Sequence, residues 1–190
     1  MERMQFEDKS TAHAVMGSGD DEKLRFRGRY AIECLDADGN VKWTDVIENV
    51  VVDVGVRLAL DTILGNSAAG AVNMMLKGTG TAVVGDTMAS HASWLEVGGA
   101  NAPAYSGNRP TPTFSAASGT GAGARTKATS AAVSFTFTSG GTVAGCAIGL
   151  GIGTTKDATT GTLLSAGDFT GGSRTVVATD VLNVTFQLSA

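Results

Sequence analysis

One stretch of this sequence carries a helical period, while the residues around it alternate or turn. In Glu48-Asn-Val-Val-Val-Asp-Val-Gly-Val-Arg-Leu-Ala-Leu-Asp-Thr-Ile-Leu-Gly65, the residues Val56, Ala59, Leu60, Ile63 and Leu64 recur at helical spacing and share one apolar stripe. Asp53, Arg57 and Asp61 recur every four residues on the opposite side, a solvated row open to i,i+4 ion pairs. The spacing predicts one helix over 53–64. Asp53 can cap its first turn and suits the positive end of the helix dipole, and Gly65 can take the left-handed conformation that ends helices. We read this helix as plugging one end or face of a β-structure. Leu60 and Ile63 are then expected to be buried, with truncation to Ala costing about 2–5 kcal/mol each.

The rest reads as short strands. Leu24, Phe26, Tyr30, Ile32 and Cys34 fall on one face of the first, and Arg25, Arg27, Arg29 and Glu33 on the other. Asp36-Ala-Asp-Gly-Asn40 offers a tight turn into a return strand over 41–52 that contains Trp43. Val72-Asn-Met-Met-Leu-Lys77 is a strand ending at Gly78-Thr-Gly80. Residues 98–112, rich in Gly, Ala, Asn and Pro, are expected to cross a surface between sheets, after which 113–117 is extended and 119–123 forms a tip. Val133, Phe135 and Phe137 alternate with polar residues, as do Cys146, Ile148, Leu150 and Ile152. Gly171-Gly172 turns the chain, and Leu182, Val184, Phe186 and Leu188 close it. Roughly eight extended segments at this spacing define the fold class as mainly β, an antiparallel β-sandwich with one helix, a jelly roll being one such arrangement.

With 190 residues and no linker, one β-domain over 24–190 is expected, preceded by an arm over 1–23. The arm is polar and aperiodic; it reads either as a disordered segment or as one that orders on a neighbouring subunit. The 26 glycines are interleaved with alternating Val, Ile, Leu and Phe, a pattern that a disordered chain lacks. A net charge of −4 argues against a general nucleic-acid binder. The N-terminus lacks the basic-then-apolar pattern of a signal peptide, and the weakly polar run over 143–153 falls short of the roughly 20 residues of a membrane helix. The expectation is a soluble protein made in a cytoplasm.

The inventory for catalysis is thin. The two histidines are His13 in the arm and His91 in Asp86-Thr-Met-Ala-Ser-His-Ala-Ser-Trp94. Ser90, His91 and Asp86 could be written as a triad, but no nucleophile-elbow pattern frames Ser90. The Asp36–Asn40 turn begins like a calcium loop, yet Val41 stands where the loop needs Gly and Ile47 where it needs Glu. Gly78 and Gly80 supply two glycines of a dinucleotide fingerprint, with Val83 at the third position. No Cys/His cluster has zinc spacing. We therefore expect no enzyme, no metal and no cofactor. Cys34 and Cys146 both fall in strands, where a disulfide is one option and buried free thiols the expected one. Arg25, Arg27 and Arg29 form the one notable charge row: a solvated face, or a contact for an acidic protein partner or a nucleic-acid backbone.

Six pieces of the chain, taken in order, resemble a family of small virion proteins of tailed bacteriophages and prophages. They are Arg29-Tyr-Ala-Ile-Glu-Cys-Leu-Asp-Ala-Asp-Gly-Asn-Val-Lys-Trp43, Asn49-Val-Val-Val-Asp-Val-Gly-Val-Arg-Leu-Ala-Leu-Asp61, Gly85-Asp-Thr-Met-Ala-Ser-His-Ala-Ser-Trp-Leu-Glu96, Arg109-Pro-Thr-Pro-Thr-Phe114, Gly161-Thr-Leu-Leu-Ser-Ala-Gly-Asp-Phe169 and Asp180-Val-Leu-Asn-Val-Thr185. The likeness spans about residue 24 to the C-terminus and leaves the arm outside. It implies a non-enzymatic structural role in the virion, for which a decoration or cement protein on the phage head is the leading expectation. The partners would then be the major capsid protein or other virion proteins. Cement also calls for a homo-oligomer, a trimer being the natural match to threefold lattice positions. The arm and Arg25, Arg27 and Arg29 are the segments expected to touch neighbours. Two alternatives remain open: a tail or neck component that touches the host, and a carbohydrate-binding module. The latter needs exposed aromatics, for which Trp43, Trp94, Tyr30 and Tyr105 are the candidates.

Overall fold

A β-hairpin starts the described fold, and its turn is held by one carboxylate. In the computed structural model, which describes residues 26–65, 68–120 and 124–190, strand β1 (Arg27–Leu35) returns as β2 (Val41–Val51). Asp36 accepts from the backbone N–H groups of Asp38 and Asn40 at 3.0 and 2.8 Å, and Gly39 takes φ +83°. Along β1, Tyr30, Ile32 and Cys34 are buried while Arg27 and Arg29 face outward, the alternation that the sequence predicts.

The remaining strands are β3 (Val72–Lys77), β4 (Glu96–Val97), β5 (Thr126–Ala128), β6 (Val133–Thr136), β7 (Gly141–Val143), β8 (Gly145–Leu150), β9 (Thr162–Asp168), β10 (Arg174–Val176) and β11 (Val181–Ser189). Nine of the eleven strands form one sheet in the order β4-β3-β8-β9-β2-β1-β11-β5, with β6 also paired to β11; β10 and β7 form a second, two-stranded sheet. Every pairing is antiparallel. The chain is thus mainly β, with a single helix among the described residues, as the sequence implies.

Strand β2 joins the two halves of the large sheet. Its first part pairs with β1, and its last two residues, Val50 and Val51, pair with Ala166 and Ser165 of β9. The halves face one another across the main core. Tyr30, Ile32, Ile47 and Phe186 from one side meet Met74, Leu76, Cys146, Ile148 and Leu164 from the other. At the seam, the Tyr30 hydroxyl hydrogen-bonds Ser165 Oγ at 3.0 Å. The expected free thiols are found: Cys34 and Cys146 are both unpaired and both buried in this core.

The half built from β3, β8 and β9 is covered on both faces. Met75, Ala147, Leu163 and Ala166 point away from the main core, into a second cluster with Val52, Met88, Trp94 and Ile152. Leu163 and Leu164 alternate between the clusters as strand neighbours do, and the register shift between Ile148 and Gly149 sends Leu164 and Ala166, two residues apart, to opposite clusters as well. Burial on both faces is why β8 and β9 read as near-continuous small and apolar runs. It also corrects the expected face, since Ile152 belongs to the second cluster rather than beside Cys146 and Ile148. Residues 113–117, expected to be extended, contribute an isolated bridge at Phe114 rather than a strand.

Helix α1 (Asp53–Ile63) has the predicted span, and Gly65 takes the predicted left-handed conformation at φ +81°. Two expectations fail. The N-cap is Val52, without a side-chain cap; Asp53 sits in the first turn, where its N–H donates to Val84 O. More consequentially, the apolar stripe is not the buried face. Leu60, Ile63 and Leu64 are 46%, 67% and 79% exposed, and the one fully buried helix residue is Gly55. The reason is contact distance. A Cβ at Gly55 would stand 2.7 Å from the carbonyl oxygen of Leu164, so glycine lets the helix settle directly on the β9 backbone. At about 100° per residue, Leu60, Ile63 and Leu64 then lie roughly 80–180° round from that contact. The closest approach, rather than the widest apolar stripe, sets the buried face.

Candidate functional site

The charge row on β1 comes first. Arg27 and Arg29 are exposed on the outer face, whereas Arg25 and the arm over 1–23, with His13, lie outside the described residues. Arg29 Nε is 3.9 Å from Glu48 Oε1 across the strand pair, both side chains more than half exposed. Such a pair contributes little to stability. With Glu33 and Glu48 on the same sheet face, the row is mixed in sign rather than a basic strip.

The segment around His91 covers the second cluster, and its polar groups are committed to holding it there. The buried Asp86 carboxylate accepts from the Trp94 indole at 2.8 Å and from the Val83 N–H at 2.9 Å. His91 donates from Nδ1 to the Trp94 carbonyl at 2.7 Å and stacks on the Trp94 ring at 4.1 Å. The Ser90 N–H donates to Thr87 Oγ1. No hydrogen bond joins Asp86, Ser90 and His91 into a relay. Beneath Trp94, the fully buried Lys77 pairs with Asp168 at 2.5 Å and donates to the carbonyls of Gly78 and Gly80. A bare buried ammonium would be costly, and these partners offset that cost.

The sequence reading missed a second buried knot. Residues 98–112 were expected to be a surface crossing, yet Arg109 is 1% exposed. Its guanidinium forks onto Glu96, Nε to Oε1 at 2.9 Å and Nη2 to Oε2 at 2.5 Å. It also donates to the carbonyls of Ile152 and Ala158 at 2.9 and 2.8 Å. Glu96 in turn accepts the Asp157 N–H, and Asp157 accepts the Ala100 N–H. Lys156 donates to the carbonyls of Gly98 and Tyr105 and lies 3.7 Å from the Tyr105 ring centre; loss of hydration lowers its pKa. Together these bonds tie the 98–109 loop to the 152–158 loop. A charged residue inside a Gly/Asn-rich stretch was the one sequence signal that could have flagged Arg109.

A cleft of about 750 Å3 opens between Gly78, Trp94, Asn101 and Thr142. Its walls are backbone, small side chains and the apolar Trp94, Leu95 and Val97, and no titratable side chain lines it. Nor do the four aromatics named for carbohydrate stacking form a platform. Tyr30, Trp94 and Tyr105 are buried, and the half-buried Trp43 meets Phe169 edge-on with Arg174 over its ring. Among the described residues, no group of three or more His, Cys, Asp or Glu side chains is placed to hold a metal ion. No described helix is long and apolar enough to cross a membrane.

What the described surface does offer is apolar area on α1. Leu60, Ile63 and Leu64 form a patch at i, i+3 and i+4, and the exposed Val83 and Val84 lie beside the helix N-terminus through the Asp53–Val84 hydrogen bond. Scattered single hydrophobics need no explanation, whereas a contiguous group is the mark of a contact surface. The fold is thus that of a mainly antiparallel-β protein whose described ionisable groups chiefly fasten loops and whose helix presents an apolar face. No family model matches the chain, and neither the curated proteins nor the solved structures compared with it include a match.

Proposed function

We propose that this chain is a structural component of a bacteriophage virion, a decoration or cement protein that stabilises the head lattice through repeated moderate contacts. The observation that carries the reading is how the six resembling pieces meet. They join in three pairs, each through a polar contact. Lys42 of the first piece pairs with Asp180 of the last at 2.5 Å. Asn49 of the second donates to Ser165 of the fifth at 2.6 Å. Glu96 of the third clamps Arg109 of the fourth. Pieces that meet in the folded core, rather than lying scattered over separate loops, are what a likeness of fold requires. The surface fits a protein that assembles: its apolar helix face is open, and its mixed charges on β1 suit a protein neighbour better than a nucleic-acid backbone.

The test is to add the purified chain to particles that lack it, then count copies and locate them by labelled electron microscopy. The cement reading expects many copies spread over the head, released more readily as salt rises if Arg27 and Arg29 take part. Copies confined to a tail vertex would instead make it a tail or neck component. No binding to head or tail would overturn the virion reading.

A further inference from the structure

We propose that α1 is a two-fold docking surface for a second copy of this chain, the two helices crossing antiparallel. The contact does not depend on the virion reading and would hold for the isolated protein. Leu60, Ile63 and Leu64 are exposed together, with Val56 half-buried at the margin of the same stripe. Arg57 and Asp61, expected opposite the stripe, lie instead roughly 60° and 100° round from Leu60 and flank the exposed patch on one side.

Helix geometry then selects the partner. In an antiparallel pair related by a two-fold axis, each flank faces the same flank of the other helix, so a helix that pairs with itself needs both signs of charge on one flank. Arg57 and Asp61 supply them. With the axis beside Ala59, Arg57 of one copy stands opposite Asp61 of the other, and the same contact repeats on the far side of the axis. This register places Leu60 near the axis against its own counterpart and sets Ile63 over Val56 of the other copy. It also brings Leu64 toward the helix N-terminus of the other copy, where Val83 and Val84 are exposed. A single register thus joins the apolar residues Leu60, Ile63 and Val56 and satisfies the charged flank, with the exposed Asp53 beside Leu64 at each end of the seam. An unrelated partner would have to supply a matching apolar stripe and charged flank of its own.

The experiment is sedimentation velocity of the full chain over a concentration series. The parent is expected to show a monomer–dimer equilibrium. Leu60→Asp and Ile63→Asp should weaken dimerisation at least about tenfold, since each places a charge in a desolvated seam. Circular-dichroism melting reports whether these variants stay folded, as the exposure of both side chains predicts. The charge flank gives a second, independent readout. Arg57→Asp alone and Asp61→Arg alone each put like charges opposite one another and should weaken the dimer about three- to tenfold at low salt. The double exchange restores opposite charges across the axis and should recover most of the parent affinity. The proposal is overturned if the parent is monomeric up to its solubility limit. It is equally overturned if the parent forms a dimer or trimer that Leu60→Asp leaves intact, or if the double exchange is no better than the single ones.

Discussion

Gly55 rests on the backbone of Leu164 so closely that a Cβ there would meet both the carbonyl oxygen, at 2.7 Å, and the Cα, at 2.8 Å. Neither atom can move without moving β9. Gly55→Ala should therefore destabilise the protein by about 1–3 kcal/mol, as overpacking does, although the same change in an exposed helix would gain up to about 1 kcal/mol. By contrast, Leu60→Ala and Ile63→Ala should fall within about 0.5 kcal/mol of the parent, because both side chains are exposed. Urea unfolding of the three variants checks the order. A costlier Leu60→Ala would place the buried face where the periodicity put it.

Arg109 and Glu96 form a buried pair whose breakage leaves a charge without its counterpart. Arg109→Ala or Glu96→Gln should each cost about 3–5 kcal/mol. Arg109→Lys should rescue little, since an ammonium cannot make the two-pronged contact or also reach both the Ile152 and Ala158 carbonyls. Replacing both residues with apolar ones should cost less than the sum of the single changes. A double-mutant cycle in urea measures that coupling, and strict additivity would mean the pair contributes nothing as a pair.

Alkaline pH should destabilise the fold. Burial, with a smaller push from the Asp180 carboxylate, lifts the Cys34 thiol up to about 11. Burial raises the Cys146 thiol and the Tyr30 phenol further still. Each of these groups holds its proton more tightly when folded. Each therefore contributes stability that is intact below its unfolded value, about 8.5 for a thiol and 10 for a phenol, and lost as pH climbs toward the folded one. Lys156, lowered by loss of hydration, acts in the opposite direction. Burial raises the Tyr105 phenol as well, and the hydrogen bond to Asp180 raises Lys42, so five groups against one predict a urea midpoint that is flat from about pH 7 to 8 and falls from about pH 9 upward. A midpoint that rises through that range would contradict the sign.

The same burial protects the thiols. Cys34 and Cys146 are free and enclosed in the main core. A chromogenic disulfide reagent near neutral pH should leave both untouched over the time in which it titrates both in denaturant. Rapid modification of the native protein at Cys146 would show that the core opens on that timescale.

The hairpin was legible because its determinants are local. Asp36, Gly39 and the alternation of β1 all act within a few residues of one another. The helix was half legible. Its span follows from periodicity and from Gly65, but its facing depends on Leu164, a neighbour that no local pattern names. Strand β8 misled because an alternating reading assumes one wet face, and Ala147 is as buried as Cys146 and Ile148. The polar knots were invisible for the same reason. Lys77, Glu96 and Arg109 look like surface charges until the chain brings Asp168, Ile152 and Ala158 beside them. The turns at Gly39 and Gly171-Gly172 could be read from composition, whereas the two- and three-residue strands β4, β5, β7 and β10 exist only through their partners.

Those very short strands have a consequence at the rim of the large sheet. Its path ends in β4, two residues long, and β5, three residues long. A visiting backbone finds only a few free amides and carbonyls there, too few to template another strand. Growth by endless stacking, the route to fibres, is therefore starved at both margins. Copies that meet at those two margins are left to recognise one another through side chains, where shape and charge limit how many can join.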